Sequence, residues 1–94
     1  MPHFKLAHIR EQGNDMLIFP LDSSFGNKTS DDQEAALAEL QAHAHAAGLR
    51  GHAIAVWDAG GDRMTFLGPT NWQAFLRSIN LRFVLANVNR EISW

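Results

Sequence analysis

The sequence predicts a single α+β domain over residues 1–94, with its elements in the order ββαββα(α). Four short apolar segments have the length of strands, and apolar residues at helical spacing follow the second and the fourth of them. Because the strands come in consecutive pairs, we expect a four-stranded, mostly antiparallel sheet with the helices packed on one face. The other face of such a sheet is a candidate surface for binding or dimerisation.

The first pair of strands covers residues 4–11 and 16–19. Gly13 and Asn14 lie between the two segments, and a Gly-Asn pair is typical of tight hairpin turns because both residues tolerate positive φ. Pro20 follows the second segment and has no N–H to donate, so we expect strand pairing to end there.

A polar loop over residues 21–29 leads into the first helix. Ser30 and Gln33 match the capping box, with Ser30 at the N-cap and Gln33 at the third helical position. Gly48 tolerates a left-handed backbone, which indicates that the helix ends at about Ala47. The apolar stripe of this helix is narrow and consists of Ala36, Leu37, Leu40, Ala44 and Ala47.

The second half of the chain repeats this plan. Residues 52–57 are apolar at nearly every position, which is typical of a central strand, and residues 63–67 form the returning strand. Thr70 and Gln73 give a second capping box. Apolar side chains then recur at helical spacing, at Trp72, Phe75, Leu76 and Ile79.

The segment over residues 81–92 fits two structures. As a helix that begins after an Asn80 N-cap, it places five apolar side chains on one face and leaves Phe83 outside that face. As a strand, it alternates apolar residues with Arg82, Val84 and Ala86. The helix accounts for more of the apolar positions, and we predict a helix.

Catalytic and metal-binding motifs are not recognisable in the sequence. The chain has no cysteine, which removes thiol nucleophiles and thiolate metal ligands. His43 and His45 are two positions apart, so on a helix they point in different directions and do not hold one ion. His43 instead follows Glu39 by four residues, and we expect these side chains to meet. We therefore predict a protein that is not an enzyme and requires no metal or cofactor.

Charge is unevenly distributed along the chain. The net charge is -2, but residues 1–47 carry -4, whereas residues 48–94 carry +2 and contain arginine without lysine. Arginine suits bidentate recognition of planar or phosphorylated groups. Together with the aromatic residues of the same half, this composition makes nucleic-acid binding the alternative interpretation.

Protein–protein binding or self-association is the main functional prediction. Phe25 sits in a polar loop where no apolar periodicity requires burial, and Trp94 is the last residue of the sequence. Tryptophan, phenylalanine and arginine are the anchors that protein interfaces favour. The candidate binding residues are Phe25, Trp72, Arg77, Arg82, Arg90 and Trp94.

Residues 51–94 contain a recognisable pattern of residues. It consists of the strand with Val56-Trp57 and the block Trp72-x-x-Phe75-x-Arg77-Ser78-Ile79-Asn80-Leu81-Arg82, which continues to Ala86-Asn87-x-Asn89-Arg90. This pattern resembles a group of small uncharacterised proteobacterial proteins. It implies a bacterial protein and carries no activity or functional residue with it. No apolar run reaches the roughly 18–20 residues that span a bilayer. We therefore expect a cytoplasmic protein with no membrane partner.

Overall fold

The computed structural model describes residues 3–11, 13–60, 63–68 and 73–93. Its elements in chain order are β1 (His3–Glu11), β2 (Asn14–Pro20), a 3-10 helix (Ser23–Asn27), α1 (Ser30–Ala46), β3 (His52–Asp58), β4 (Met64–Leu67), α2 (Gln73–Ser78), α3 (Leu81–Ala86) and β5 (Arg90–Ser93). The predicted α+β class is confirmed. In the described ranges, no helix is long and apolar enough to cross a lipid bilayer.

The described strands form one sheet of five strands in the order β4-β3-β2-β1-β5. Three of the four pairings are antiparallel, as predicted, whereas β2 and β3 are parallel because α1 crosses between them. The expected count of four strands is wrong, because the end of the chain adds β5 beside β1. The predicted order ββαββα(α) is therefore extended by a final strand.

Helices cover both faces of this sheet, so the prediction of helices on one face is wrong. Leu17 of β2 packs with Leu40 of α1 on one side, and its neighbour Ile18 packs with Leu76 of α2 and Val84 of α3 on the other. The physical reason lies in β2 and β3, which are buried on both faces and need a cover on each. The uncovered sheet face expected from the sequence is therefore not a binding surface here.

The caps of α1 differ in detail from the predicted capping box. Thr29 is the N-cap, and its side chain accepts a hydrogen bond from the Asp32 N–H at 3.2 Å. Gln33 does not reach back to the cap, because its Nε2 donates to the Phe25 carbonyl at 3.0 Å and ties the 3-10 helix to α1. The predicted end is confirmed, with Ala47 as C-cap and Gly48 at a φ of 86°.

The predicted helix over residues 81–92 is right only for its first half. Asn80 is the N-cap of α3, as predicted, and its Oδ1 accepts from the Phe83 N–H at 2.8 Å. The helix ends at Ala86, and the following residues return to the sheet. They do so because Ile92, on becoming part of β5 opposite Phe4, is buried among the apolar side chains under α1.

A side-chain amide completes the edge of β3 where the short strand β4 stops. β4 pairs with β3 only from Ala55 onward. Before Ala55, where β4 does not reach, Gln41 of α1 provides the hydrogen bonds. The Ala53 N–H donates to Gln41 Oε1 at 2.6 Å, and Gln41 Nε2 donates to the Gly51 carbonyl at 2.9 Å. Gln41 thus takes the place of a strand and anchors α1 to the sheet.

Candidate functional site

Phe25 is buried, which corrects the expectation of an exposed loop residue. Asp22 caps the 3-10 helix by accepting from the Ser24 N–H, and this turn folds over the end of the sheet. The Phe25 ring is 5% exposed and meets the Trp57 ring edge to face, with 4.9 Å between the ring centroids. Phe25 therefore belongs to the core in this structure.

The other candidate binding residues lie on separate elements. Arg77 is at the end of α2, Arg82 is in α3 and Arg90 begins β5, and all three are exposed. Trp72 and Trp94 lie outside the described residues. Of the three arginines, Arg82 shares a cavity with another cation, as described below.

Asn89 shows how β1 is oriented toward β5. The His8 N–H donates to Asn89 Oδ1 at 2.9 Å, and Asn89 Nδ2 donates to the His8 carbonyl at 3.2 Å. The Asn89 N–H also donates to the Leu6 carbonyl at 3.1 Å. Because backbone groups of alternate residues point to opposite sides of a strand, the even-numbered residues of β1 face β5.

This orientation identifies the backbone groups of β5 that point away from β1. Ile92 and Arg90 stand opposite even-numbered residues of β1, so their N–H and C=O groups point toward β1. The N–H and C=O groups of Glu91 and Ser93 consequently point away from the sheet. Among the described strands, β5 has a neighbour only on its β1 side. As far as the described ranges extend, its outer edge therefore has no paired strand, and such an edge can pair with another one.

A charged cavity of about 320 Å³ lies at the carboxyl end of β3 and is lined by Asp58, Arg63, Asn80, Leu81 and Arg82. Asp58 is the last residue of β3, and its Oδ1 accepts from the Gly60 N–H at 2.8 Å. Arg63 is held near it, since its carbonyl accepts from the Ala59 N–H at 2.7 Å. Two exposed arginines and one aspartate are therefore among the residues that line this cavity.

A second cavity, of about 530 Å³, adjoins the first through Asp58. Its remaining polar side chains are neutral and comprise Ser23, Asn27, Trp57 and Thr65. Gly26 allows the 3-10 helix to lie against Trp57, because a Cβ at this position would come within 2.8 Å of Trp57 Nε1. Trp57 and its pairing partner Thr65 lie on the face of the sheet that α1 covers, whereas Asp58 lines the first cavity together with Leu81 of α3, so the two cavities lie on opposite sides of the end of β3.

An apolar cavity of about 230 Å³ lies between α1 and the 3-10 helix, with Phe4, Leu21 and Leu40 among its lining residues. Large apolar side chains are also exposed on α3, where Phe83 is 38% and Leu85 is 56% exposed. These two residues are two positions apart, so they do not form one continuous stripe.

Three of the five histidines contact carboxylates in this structure. His3 contacts Glu91 at 2.7 Å, His8 contacts Asp15 at 3.5 Å, and the predicted contact of His43 with Glu39 is confirmed at 3.9 Å. No group of three potential metal ligands comes together among the described residues.

Sequence reasoning missed the charged cavity at the end of β3. It assigned residues 52–57 and 63–67 to strands and left Asp58 between them without a role. The missed signal was an apolar strand, a helix and a second apolar strand in succession, which is the pattern of a parallel βαβ unit. In sheets with parallel strands, ligands bind beyond the carboxyl ends, and this rule points to Asp58.

Comparison with known proteins identified no relative. No family model, no curated protein and no solved structure matches this chain.

Proposed function

We propose that this protein is a binding module that associates with a second copy of itself through the outer edge of β5. The observation that carries the proposal is the outward orientation of the backbone groups of Glu91 and Ser93. An edge strand with unpaired N–H and C=O groups is a template for another strand. A two-fold axis perpendicular to the sheet would join two β5 strands antiparallel and keep α1 of both copies on the same side.

Charge selects one register for this pairing. With Ile92 opposite Ile92 of the second copy, each Glu91 faces Ser93, and the two Glu91–Ser93 pairs form four hydrogen bonds between the chains. If the register of the two strands shifts by two residues, Glu91 lies opposite Glu91 of the second copy. Like charges directly opposite each other destabilise a sheet. Ile92 is an apolar centre for the symmetric arrangement.

A second copy explains this edge better than an unrelated partner, because the same four residues supply both sides of the contact. The edge is short, and each cross-strand pair contributes about 0.2–1 kcal/mol, whereas association costs several kcal/mol. We therefore expect a dimer of micromolar to millimolar dissociation constant rather than a permanent one.

Proline substitution tests the proposal, because it removes an N–H without adding bulk to the core. Glu91→Pro deletes an outward N–H and leaves the hydrogen bonds between β1 and β5 in place. Glu91→Ala is the matched control, since it loses the same side chain and its contact with His3 but keeps the N–H. Light scattering after size exclusion measures the mass at concentrations from about 1 µM to about 1 mM.

The expected result is a dimer for the natural chain and for Glu91→Ala, and a monomer for Glu91→Pro with its thermal unfolding transition retained. A natural chain that stays monomeric at the highest concentration contradicts the proposal. A proline variant that dimerises as well as the alanine variant contradicts it too, because the contact then lies elsewhere.

Nucleic-acid binding has weaker support as the second candidate. Its sequence basis is the arginines and aromatic residues of the second half of the chain. Stacking of bases on those aromatic side chains needs an open sheet face, and helices cover both faces of the described sheet. Arg82 and the exposed Phe83 on α3 are the remaining observation in its favour. Binding of a labelled single-stranded oligonucleotide that weakens steeply with added salt would support this candidate.

A further inference from the structure

The apolar cavity between α1 and the 3-10 helix interrupts the packing of the core. Its volume is about 230 Å³, and its floor consists of buried and half-buried apolar side chains, namely Phe4, Leu21, Phe25, Ala36 and Leu40. Protein interiors are close-packed and contain few voids larger than a water molecule. The side chains around such a gap lose dispersion contacts, which an apolar ligand would restore.

The walls of this cavity are fixed by two clusters of the core that meet there. Leu40 belongs to the cluster under α1, Phe25 belongs to the cluster with Trp57, and Leu21 packs against both. Phe25 and Leu40 are only 5% and 4% exposed. Because these side chains are held by the core, the cavity is formed before a ligand enters, as is usual for small-molecule sites.

The size and the lining of the cavity indicate a small aromatic ligand. An apolar cavity of about 150 Å³ is large enough to hold benzene. The larger volume here leaves room for a benzene ring with a substituent. The rings of Phe4 and Phe25 both line the cavity, and aromatic rings attract each other in edge-to-face and offset arrangements. An aromatic ligand therefore gains more from these walls than an aliphatic ligand of equal size.

The rim of the cavity carries more negative than positive charge. It consists of Asp22, Ser24, Lys28 and Glu39, and all four residues are exposed. Two carboxylates against one ammonium group disfavour an anionic ligand by repulsion. A cationic ligand would approach Lys28 and would lose part of its hydration beside the apolar walls. The rim therefore favours a neutral ligand.

The carboxylates of the rim also indicate which polar group the ligand carries. Asp22 Oδ1 accepts from the Ser24 N–H at 3.1 Å and from the Ser23 hydroxyl at 3.3 Å, and Glu39 contacts His43 at 3.9 Å. An ionised carboxylate has lone pairs for several donors. It also accepts a hydrogen bond from a hydroxyl more strongly than a neutral acceptor does. A ligand with a hydrogen-bond donor therefore matches the rim.

We propose that this cavity binds a small neutral aromatic molecule with one hydrogen-bond donor, of the phenol class. The ring occupies the space between Phe4, Phe25 and Leu40, and the hydroxyl donates to a carboxylate at the rim. The proposal does not rest on dimerisation through β5.

NMR titration with four probes of similar size tests the proposal, namely phenol, cyclohexanol, benzoate and benzylamine. We expect phenol to bind at least several-fold more tightly than each of the others and to shift the amide signals of Phe25 and Leu40. Cyclohexanol tests the need for an aromatic ring. Benzoate and benzylamine test the preference for a neutral ligand.

Filling the cavity from α1 tests its location. Ala36 lines the cavity, so Ala36→Leu places a larger side chain in the space of the ligand. We expect this variant to bind phenol about tenfold less tightly or worse and to keep its thermal unfolding transition. Ala35→Leu is the matched control, because Ala35 is exposed on the same helix and is not among the lining residues.

Glu39→Gln tests the rim. The variant loses one repelling charge and keeps a weaker acceptor, so its preference for phenol over benzoate should fall several-fold. Glu34→Gln is the matched control, since Glu34 is exposed on the same helix and does not line this cavity. We expect the control to keep the preference of the natural chain.

Four results would overturn the proposal. One is the absence of phenol binding at millimolar concentration. Another is an equal loss of affinity in Ala35→Leu and Ala36→Leu, which would place the ligand elsewhere. The third is a probe among the other three that binds as tightly as phenol. The last is phenol binding that strengthens about tenfold in Trp94→Ala, which would show that an aromatic residue of the chain itself fills the cavity. The mass of the protein in solution enters none of these results, so dimerisation is tested separately.

Discussion

Replacing Phe25 with alanine should strongly destabilise the protein. The Phe25 side chain is 5% exposed and packs in a small cluster with Ala55 and Trp57 at the end of the sheet. Its loss removes the edge-to-face contact with Trp57, worth about 0.5–1.5 kcal/mol, in addition to the burial of the ring itself. The structure thus predicts the opposite of the small effect that an exposed loop residue would have.

The magnitude follows from the position of the ring. Buried Phe→Ala substitutions cost about 3–5 kcal/mol. The 3-10 helix that carries Phe25 lies at the surface and can partly close the gap, so we expect the lower end, about 3 kcal/mol. For a domain of this size, each kcal/mol lowers the Tm by about 4–8 °C, which gives a decrease of roughly 12–24 °C.

Circular dichroism during heating measures this decrease, and urea unfolding provides the free energy independently. Phe83→Ala is the matched control, because the same side chain is lost from a position that is 38% exposed. We expect the control to lose about 1 kcal/mol or less. Equal losses in the two variants would refute the reasoning, since burial would then not explain the role of Phe25.

Two further predictions concern the amino end of β3. Gln41→Ala should lower the free energy of unfolding by about 1–3 kcal/mol and speed hydrogen exchange at the Ala53 amide, because this amide loses its acceptor at 2.6 Å. An unchanged exchange rate at Ala53 would show that Gln41 does not replace a strand at this edge of β3. Gly51→Ala should cost about 2–4 kcal/mol in urea unfolding, because its φ is 129° and a Cβ would lie 2.7 Å from the Asp15 carbonyl oxygen. Gly48→Ala is the matched control, because Gly48 also has a positive φ, 86°, but no atom lies within 4 Å of an added Cβ. We expect the control to lose only about 1–2 kcal/mol of unfolding free energy. Equal losses in the two variants would show that the contact with Asp15 does not cause the loss in Gly51→Ala.

Local signals in the sequence predict most of the elements. The Gly13 turn, the end of α1 at Gly48 and the Asn80 cap were all readable, because each depends on one residue type at one backbone position. The burial of Phe25 was not readable. It depends on Trp57, which is 32 residues away in the sequence, and no local periodicity records that contact.

The tail of the chain shows why periodicity alone misassigned β5. Residues 81–92 match a helical spacing, yet the helix ends at Ala86. Ile92 is buried through its contact with the core under α1, and Asn89 bonds with its side chain and backbone to β1. These tertiary contacts outweigh a helical preference that is small for each residue.

The direction of β3 had the largest consequence for function. Two hairpins made from four consecutive strands predict an antiparallel sheet with one open face as the binding surface. In the structure β3 is parallel to β2, α1 crosses between them on one face, and α2 and α3 cover the other face. One change in strand direction therefore removes the binding surface that the sequence predicts and leaves the outer edge of β5 as the candidate contact.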